Sequence, residues 1–302
     1  MTMISRARAA LLGAAGQGYT SLFRMLERRG FYLLRKHYYL PIPDQRELEY
    51  ASPTEMVGVD VDPSVALSLL DSVILPRKPE FAAFPVEAPT PAHRFFLLNG
   101  TFMAIDGNVY HALVRHLRPS RIIEIGAGHS TLLAAAAAAA NAAEGARRTE
   151  IVCVEPYPSD ALRSLGDGVT VVPEPVQRLP MDLFLSLGPG DILFIDSTHV
   201  LKSGGDVWYE YCEILPRLRS GVYVHVHDVS LPLPYPRTYF DQRLYWNEQY
   251  LLQAFLTYNS RVEVIWPGNY LMCTQRDRMT AAFSPEYEAM RGRFPSSEPT
   301  SF

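Results

Sequence analysis

From Asn99 onward, short β-branched or aliphatic runs alternate with longer stretches in which apolar residues recur at helical spacing, whereas the first part of the chain shows no such repeat. The runs Arg121–Ile125, Ile151–Glu155, Val169–Val172, Ile192–Asp196 and Val222–His227 read as strands. Between and around them, Asp106–Leu117, Leu132–Asn141, Asp206–Leu218 and Trp246–Asn259 read as helices, with Pro216 ending the third. Strands alternating with helices predict a parallel sheet wound by right-handed crossovers. Two further apolar runs, RVEVIW and NYLMCT, flank the Pro267-Gly268 turn and predict an antiparallel hairpin after the parallel strands. Upstream, Tyr19–Lys36 and Pro63–Val73 read as helices, with YLPIPD as a break, and the proline-rich Phe84–His93 as a boundary. The expected division is an N-terminal helical and irregular extension over 1–93, a main domain over 94–280, and a tail over 281–302.

Composition changes this picture little. A chain of 302 residues with 48% hydrophobic residues can bury a substantial core. The net charge of −4 gives no basic footprint for nucleic acid, which is not expected as a partner. Cys153, Cys212 and Cys273 are widely spaced and odd in number, so they form neither a disulfide framework nor a metal knuckle and read as small buried side chains. No run approaches the roughly 18 apolar residues of a membrane span. The first 18 residues loosely imitate a secretion signal, but Gly13, Gly16 and Gly18 interrupt the apolar stretch, and a cytoplasmic location is expected. Met1–Leu40 carries six arginines and one lysine against Glu27 alone. That asymmetry fits a solvated helix face, or a segment peripheral to the inner face of a membrane or facing another anionic partner. A homo-oligomer is left open.

The densest chemistry lies in RIIEIGAGHST, Arg121–Thr131, a strand running into a glycine turn that opens an alanine-rich helix. Gly126 and Gly128 suit a tight turn and close approach to a ligand, and Ser130 suits the helix start. Thr131 stands where a dinucleotide fingerprint would have its third glycine. Glu124, a carboxylate inside the strand, must be desolvated unless a cation or donor reaches it, which favours a ligand bearing an ammonium group. S-adenosylmethionine (SAM) has one, and a salt bridge to a neighbouring Lys or Arg is the plainer alternative. Glu155 ends the second strand, where a carboxylate can accept two ribose hydroxyls. Its distance from Glu124 is longer than in dinucleotide sites, as an inserted polar loop around Asn141–Arg148 would produce.

Together EIGAGHST, VEPYP, DILFIDSTH, SGGDV, VHVHD and WNEQYLLQAFL resemble class I SAM-dependent methyltransferases, specifically the Methyltransf_24-like group. The resemblance implies an α/β, Rossmann-like class I methyltransferase sheet, mostly parallel with an antiparallel C-terminal hairpin, preceded by an N-terminal helical extension. It further implies that Glu124, Gly126 and Gly128 contact the methionine portion of SAM, that Glu155 holds the ribose, and that Asp196 stands beside the methyl donor, with Ser130 also in the cofactor site. The region of Gln177 would lie near the adenine, although the usual acidic residue after the third strand is absent.

Strand ends of a parallel sheet share one crevice, so Asp196, His199, His227 and Asp228 should converge there, with His225 deeper and structural. Two chemistries fit. His227, oriented by Asp228, can act as a general base, an effect worth roughly 10²- to 10⁴-fold. Alternatively Asp196, Asp228 and His227 hold a divalent Mg or Mn ion that acidifies the acceptor hydroxyl. Related metal-dependent enzymes place an amide after the second carboxylate, where this chain has Val229. Beyond the fifth strand, Tyr235, Tyr239, Tyr245 and Trp246 fit either a lid over an acceptor or packing onto the core. Through the glycan and natural-product associations of the Methyltransf_24-like group, the resemblance implies O-methylation of a hydroxyl on a sugar, glycolipid or glycosylated natural product. An NAD-dependent oxidoreductase and a non-catalytic binding subunit of a glycan assembly complex are the competing readings.

Overall fold

The computed structural model describes residues 18–34, 36–37, 39–166 and 168–302, so most of the signal-like start lies outside the described residues. By compactness the chain divides into Met1–Leu48 and Glu49–Phe302. In the first unit, residues 18–27 are helical and a turn follows at 28–30, so the expected helix to Lys36 stops well short.

The second unit is built on a five-stranded sheet: β1 (Arg121–Ile125), β2 (Glu150–Val154), β3 (Val169–Val172), β4 (Ile192–Ile195) and β5 (Tyr223–Val226). Every neighbouring pair is parallel and the order is β3-β2-β1-β4-β5, the Rossmann-like α/β arrangement expected. One face, with Ile122, Ile151, Cys153, Ile192 and Phe194, packs on the helices Ala104–Leu117 and His129–Ala143. The opposite face, with Ile123, Ile125, Val152, Leu193 and Ile195, packs on Phe184, Leu187 and Ile214. Burial on both faces is why these strands are nearly continuous in apolar residues.

The expected boundary at 93/94 does not appear. Pro63–Leu69 continues through Leu70–Ile74 and Leu75–Ala82 as one helical run. Its Ala66, Leu70 and Ile74 enter a core with Trp266, Met279 and Phe283. Residues 281–302 are likewise not a loose tail, since Phe283, Tyr287 and Met290 are buried in that same core.

The expected antiparallel hairpin is also absent. NYLMCT lies in the helix Gly268–Thr274, and RVEVIW forms no strand. The free edge of β5 is instead taken by the end of the chain: Val226 and Phe302 exchange both backbone bonds at 2.8 Å, and Val229 N donates to Thr300 O at 2.9 Å. Antiparallel pairing thus occurs on that edge, but through residues 300–302. Among the described residues, no helix is long and apolar enough to cross a membrane.

Candidate active site

Sheet register sets the geometry of the site. Ile125 aligns with Val154 and Ile195, and Ile195 with Val226. The next residue on each strand is therefore Gly126, Glu155, Asp196 or His227, which form a row across the carboxyl edge. That edge contains the switch point between β1 and β4, where crossovers leave in opposite directions and a crevice opens.

A cleft of ≈ 250 Å³ lies there, lined by Thr101, Phe102, Gly126, Ala127, Gly128, His129, Ser130, Glu155 and Asp196. Gly126 is obligatory, because it sits at φ +80° and a Cβ would fall 1.8 Å from the Asp196 carbonyl oxygen. Thr131 Oγ1 accepts from Gly128 N at 3.3 Å, steadying the start of the helix His129–Ala143, whose amino end faces the cleft. Glu155 accepts from Ala127 N at 3.3 Å and from Tyr157 N at 2.8 Å, which fixes its carboxylate on the cleft wall.

Glu124 does not line this cleft. It is fully buried behind it, accepting from Tyr110 Oη at 3.2 Å, in register with Cys153 and Phe194. Burial pushes its carboxyl up to about 7, while hydrogen bonds from Thr131 and Tyr110 work in the opposite direction. No lysine or arginine pairs with it among the described residues, so the salt-bridge alternative also fails. Gln177, expected near the adenine, is outside the cleft lining and donates through Nε2 to Gly204 O at 3.1 Å.

The four candidate catalytic residues do converge. His227 Nδ1 lies 3.3 Å from Asp196 Oδ1 and 3.7 Å from Asp228 Oδ2. His199 Nε2 lies 3.3 Å and 3.5 Å from the same two oxygens. The other nitrogen of each ring is also occupied: His199 Nδ1 meets Glu248 Oε2 at 2.8 Å, and His227 Nε2 meets Thr300 Oγ1 at 3.3 Å and Asp106 Oδ2 at 3.8 Å. Asp106 is itself held by the backbone N–H groups of Thr300 and Ser301. Asp106, Glu248 and Thr300 are site residues that strand-end reasoning missed, as were Thr101, Phe102 and His129 in the cleft.

This crowding of carboxylates sets the charges. Burial opposes protonation of His227, but Asp228 and Asp196 outweigh it and raise its pKa well above the usual imidazole value. His199 is raised to about 10, with burial again overcome, here by hydrogen bonds to Asp196 and Glu248. Asp196 is held well below the carboxylate range because His227 and His199 outweigh its burial. Asp228 is shifted upward, by burial first and then by repulsion from Asp196, against the pull of His227. Without a metal ion the surrounding carboxylates favour the imidazolium form of His227, in which it could not act as the general base expected from its place beside Asp228.

His225 is structural, as expected. It is buried against Phe194, with ring centroids 4.5 Å apart, bonds Ser301 Oγ at 2.9 Å, and is lowered to about 3 by burial. The aromatics beyond the fifth strand gather beside His199: Trp246 lies 4.3 Å from it, Tyr239 4.8 Å from Trp246, and Tyr235 5.9 Å from Trp246, centroid to centroid. Tyr235 is buried while Tyr239, Tyr245 and Trp246 stay half-buried, so packing and exposure to the site are divided among them. Of the cysteines only Cys153 is buried; Cys212 and Cys273 are exposed, against expectation.

Asp196, His227 and Asp228 each offer a ligand atom within 4.8 Å of the others. Two carboxylates and an imidazole at that spacing fit a divalent cation, and the imidazole suits Mn²⁺ better than Mg²⁺, which prefers oxygen ligands.

Residues 123–229 match a family model described as a methyltransferase domain, Methyltransf_24. An uncharacterized protein of Archaeoglobus fulgidus is 30% identical over 166 residues, which cover 50% of this chain and 72% of that protein. Among solved structures, an SAH-bound methyltransferase of Podospora anserina is similar at 19% identity and a TM-score of 0.33, covering 49% of this chain. The match spans 66% of the Podospora chain, slightly under two thirds of its length. An SAH complex of an O-methyltransferase from Bacillus cereus is similar at 18% identity and a TM-score of 0.28, covering 60% of this chain and 83% of that one.

Proposed function

Since the chain belongs to the Methyltransf_24 group of class I SAM-dependent methyltransferases, we propose that it methylates a hydroxyl oxygen on a sugar, glycolipid or glycosylated natural product. The observation that carries this reading is Asp196. It lines the donor cleft and at the same time belongs to the acid–histidine cluster with Asp228, so donor and acceptor chemistry meet at one side chain.

In this reading the glycine turn and the amino end of His129–Ala143 receive the methionine portion of SAM, and Glu155 accepts the ribose hydroxyls. A sugar hydroxyl is a weak nucleophile until its proton is taken. Asp228, whose pKa is shifted upward and which is half-buried at the strand tip, is the carboxylate suited to accept that proton. The hydroxyl oxygen then forms its bond to the methyl carbon as the carbon–sulfur bond breaks, and the sulfonium becomes a neutral thioether. In the metal-free site the carboxylates favour protonated His199 and His227, which balance the charge of Asp196 and Asp228 and hold them in place. Trp246 and Tyr239 supply aromatic faces of the kind that stack on sugar rings. In the alternative form of the site, with His227 as neutral imidazole, Asp196, His227 and Asp228 would hold a divalent ion, which would lower the pKa of an adjacent hydroxyl in place of a free Asp228 base.

The test is transfer of label from methyl-tritiated SAM to a panel of glycans, glycolipids, phenols, peptides and carboxylic acids. Alkali-stable label on a sugar is expected, and Asp228→Asn should lower kcat at least about 100-fold with little change in SAM affinity. Label confined to alkali-labile esters or to nitrogen would refute the hydroxyl acceptor.

A further inference from the structure

Residues 18–34 hold a surface that the methyl-transfer site does not use. Tyr19, Leu22, Phe23 and Leu26 recur at i, i+3, i+4 and i+7 of the helix 18–27, so they share a face. After the turn the chain folds back along that helix: Phe31 N donates to Leu26 O at 3.0 Å, Tyr19 Oη donates to Leu33 O at 2.9 Å, and the Phe23 and Tyr32 rings lie 6.0 Å apart. This local fold leaves much apolar surface uncovered. Leu22, Met25, Phe31, Tyr32, Leu33 and Leu34 are 41% to 71% exposed. Beside them Ser21, Arg24, Met25, Arg28 and Arg29 line a concavity, and no carboxylate among the described residues pairs with its three guanidinium groups.

The charge is segregated in the same sense. Met1–Leu40 carries a net +6, which leaves −10 for the rest of a chain whose total is −4. Arginines beside exposed aromatic and aliphatic side chains match an anionic lipid interface, where headgroup phosphates meet the guanidinium groups and the apolar side chains enter the acyl boundary. We propose that residues 18–34 dock this protein on an anionic phospholipid surface through Arg24, Arg28 and Arg29 together with Leu22, Met25, Phe31 and Tyr32.

The experiment is co-sedimentation of the full chain with vesicles of phosphatidylcholine alone or mixed with phosphatidylglycerol, with thermal melting as the check that each variant folds. Binding is expected to the phosphatidylglycerol vesicles only, and to weaken as salt is raised. A triple Arg24→Gln, Arg28→Gln, Arg29→Gln variant should lose about 100-fold in partitioning, at about fivefold per arginine near a charged membrane. A Leu22→Ser, Phe31→Ser variant, with its charge intact, should also lose most binding, since neither signal alone anchors a protein firmly. Failure to sediment at low salt, equal binding to phosphatidylcholine, or an arginine variant that binds like the native chain would overturn the proposal. Unchanged binding of the Leu22→Ser, Phe31→Ser variant would also overturn it, by showing attraction to polyanions in general.

Discussion

Replacing Glu124 by glutamine isolates what a buried carboxyl costs the sheet. In the unfolded chain this group ionises near 4.5, whereas burial beside Tyr110 moves it to about 7. Below pH 4.5 it is protonated in both states and its ionisation contributes nothing. Between 4.5 and about 7 the unfolded chain gives up the proton while the folded one keeps it, so stability falls as pH rises, and above that interval the full penalty stands. At ~1.4 kcal/mol per pH unit the interval corresponds to about 3 kcal/mol. Glutamine keeps the size and still accepts from Tyr110 but cannot ionise. Relative to the native chain, Glu124→Gln should therefore gain about 3 kcal/mol between pH 4.5 and pH 8, on top of a pH-independent offset set by its two buried amide N–H donors. Urea unfolding across that range measures the difference, in which other titrating groups cancel. A difference that does not change with pH would show the reasoning to be wrong. Because Glu124 stands behind the cleft, SAM affinity in the variant should change by less than about threefold; a loss beyond about thirtyfold would mean that the carboxylate reaches the donor after all.

Three further outcomes follow from the same geometry. Glu155→Ala should weaken SAM at least about tenfold by calorimetry with little change in Tm, and unaltered affinity would remove Glu155 from the donor site. Gly126→Ala drives a Cβ into the Asp196 carbonyl at positive φ, so it should cost at least about 3 kcal/mol or prevent folding; a soluble variant with native Tm would contradict the close approach. Mn²⁺ should bind the isolated protein and bind it more tightly than Mg²⁺, with binding abolished in an Asp196→Asn, Asp228→Asn variant, as read by calorimetry without any acceptor. Equal Mn²⁺ binding in that variant would place the ion elsewhere.

Much of the sheet was legible because its strands are buried on both faces and bounded by glycine, proline or charge. Arg121–Ile125 and Val169–Val172 fall where the apolar runs place them, and the other three strands differ by a residue at one or both ends. The row Gly126, Glu155, Asp196 and His227 was legible for the same reason, since parallel register converts strand ends into neighbours. NYLMCT shows the limit: a short apolar run does not distinguish strand from helix, and residues 300–302 occupy the β5 edge that a hairpin strand would need. The same three-residue segment explains why the site was only half readable. Thr300 meets His227 and anchors Asp106, and Glu248 reaches His199 from a helix 49 positions further along the chain. None of these partners lies near a glycine turn or strand end, and their effect is electrostatic. A histidine beside a single aspartate suggests a neutral base. Asp196, Asp228 and Asp106 around His227, and Asp196, Asp228 and Glu248 around His199, favour the protonated form of both rings, which is why the proposed reading gives the proton-accepting role to Asp228, whose pKa burial shifts upward. How readily each ring is protonated depends on how many acids the fold gathers around it, a tertiary property that no motif contains.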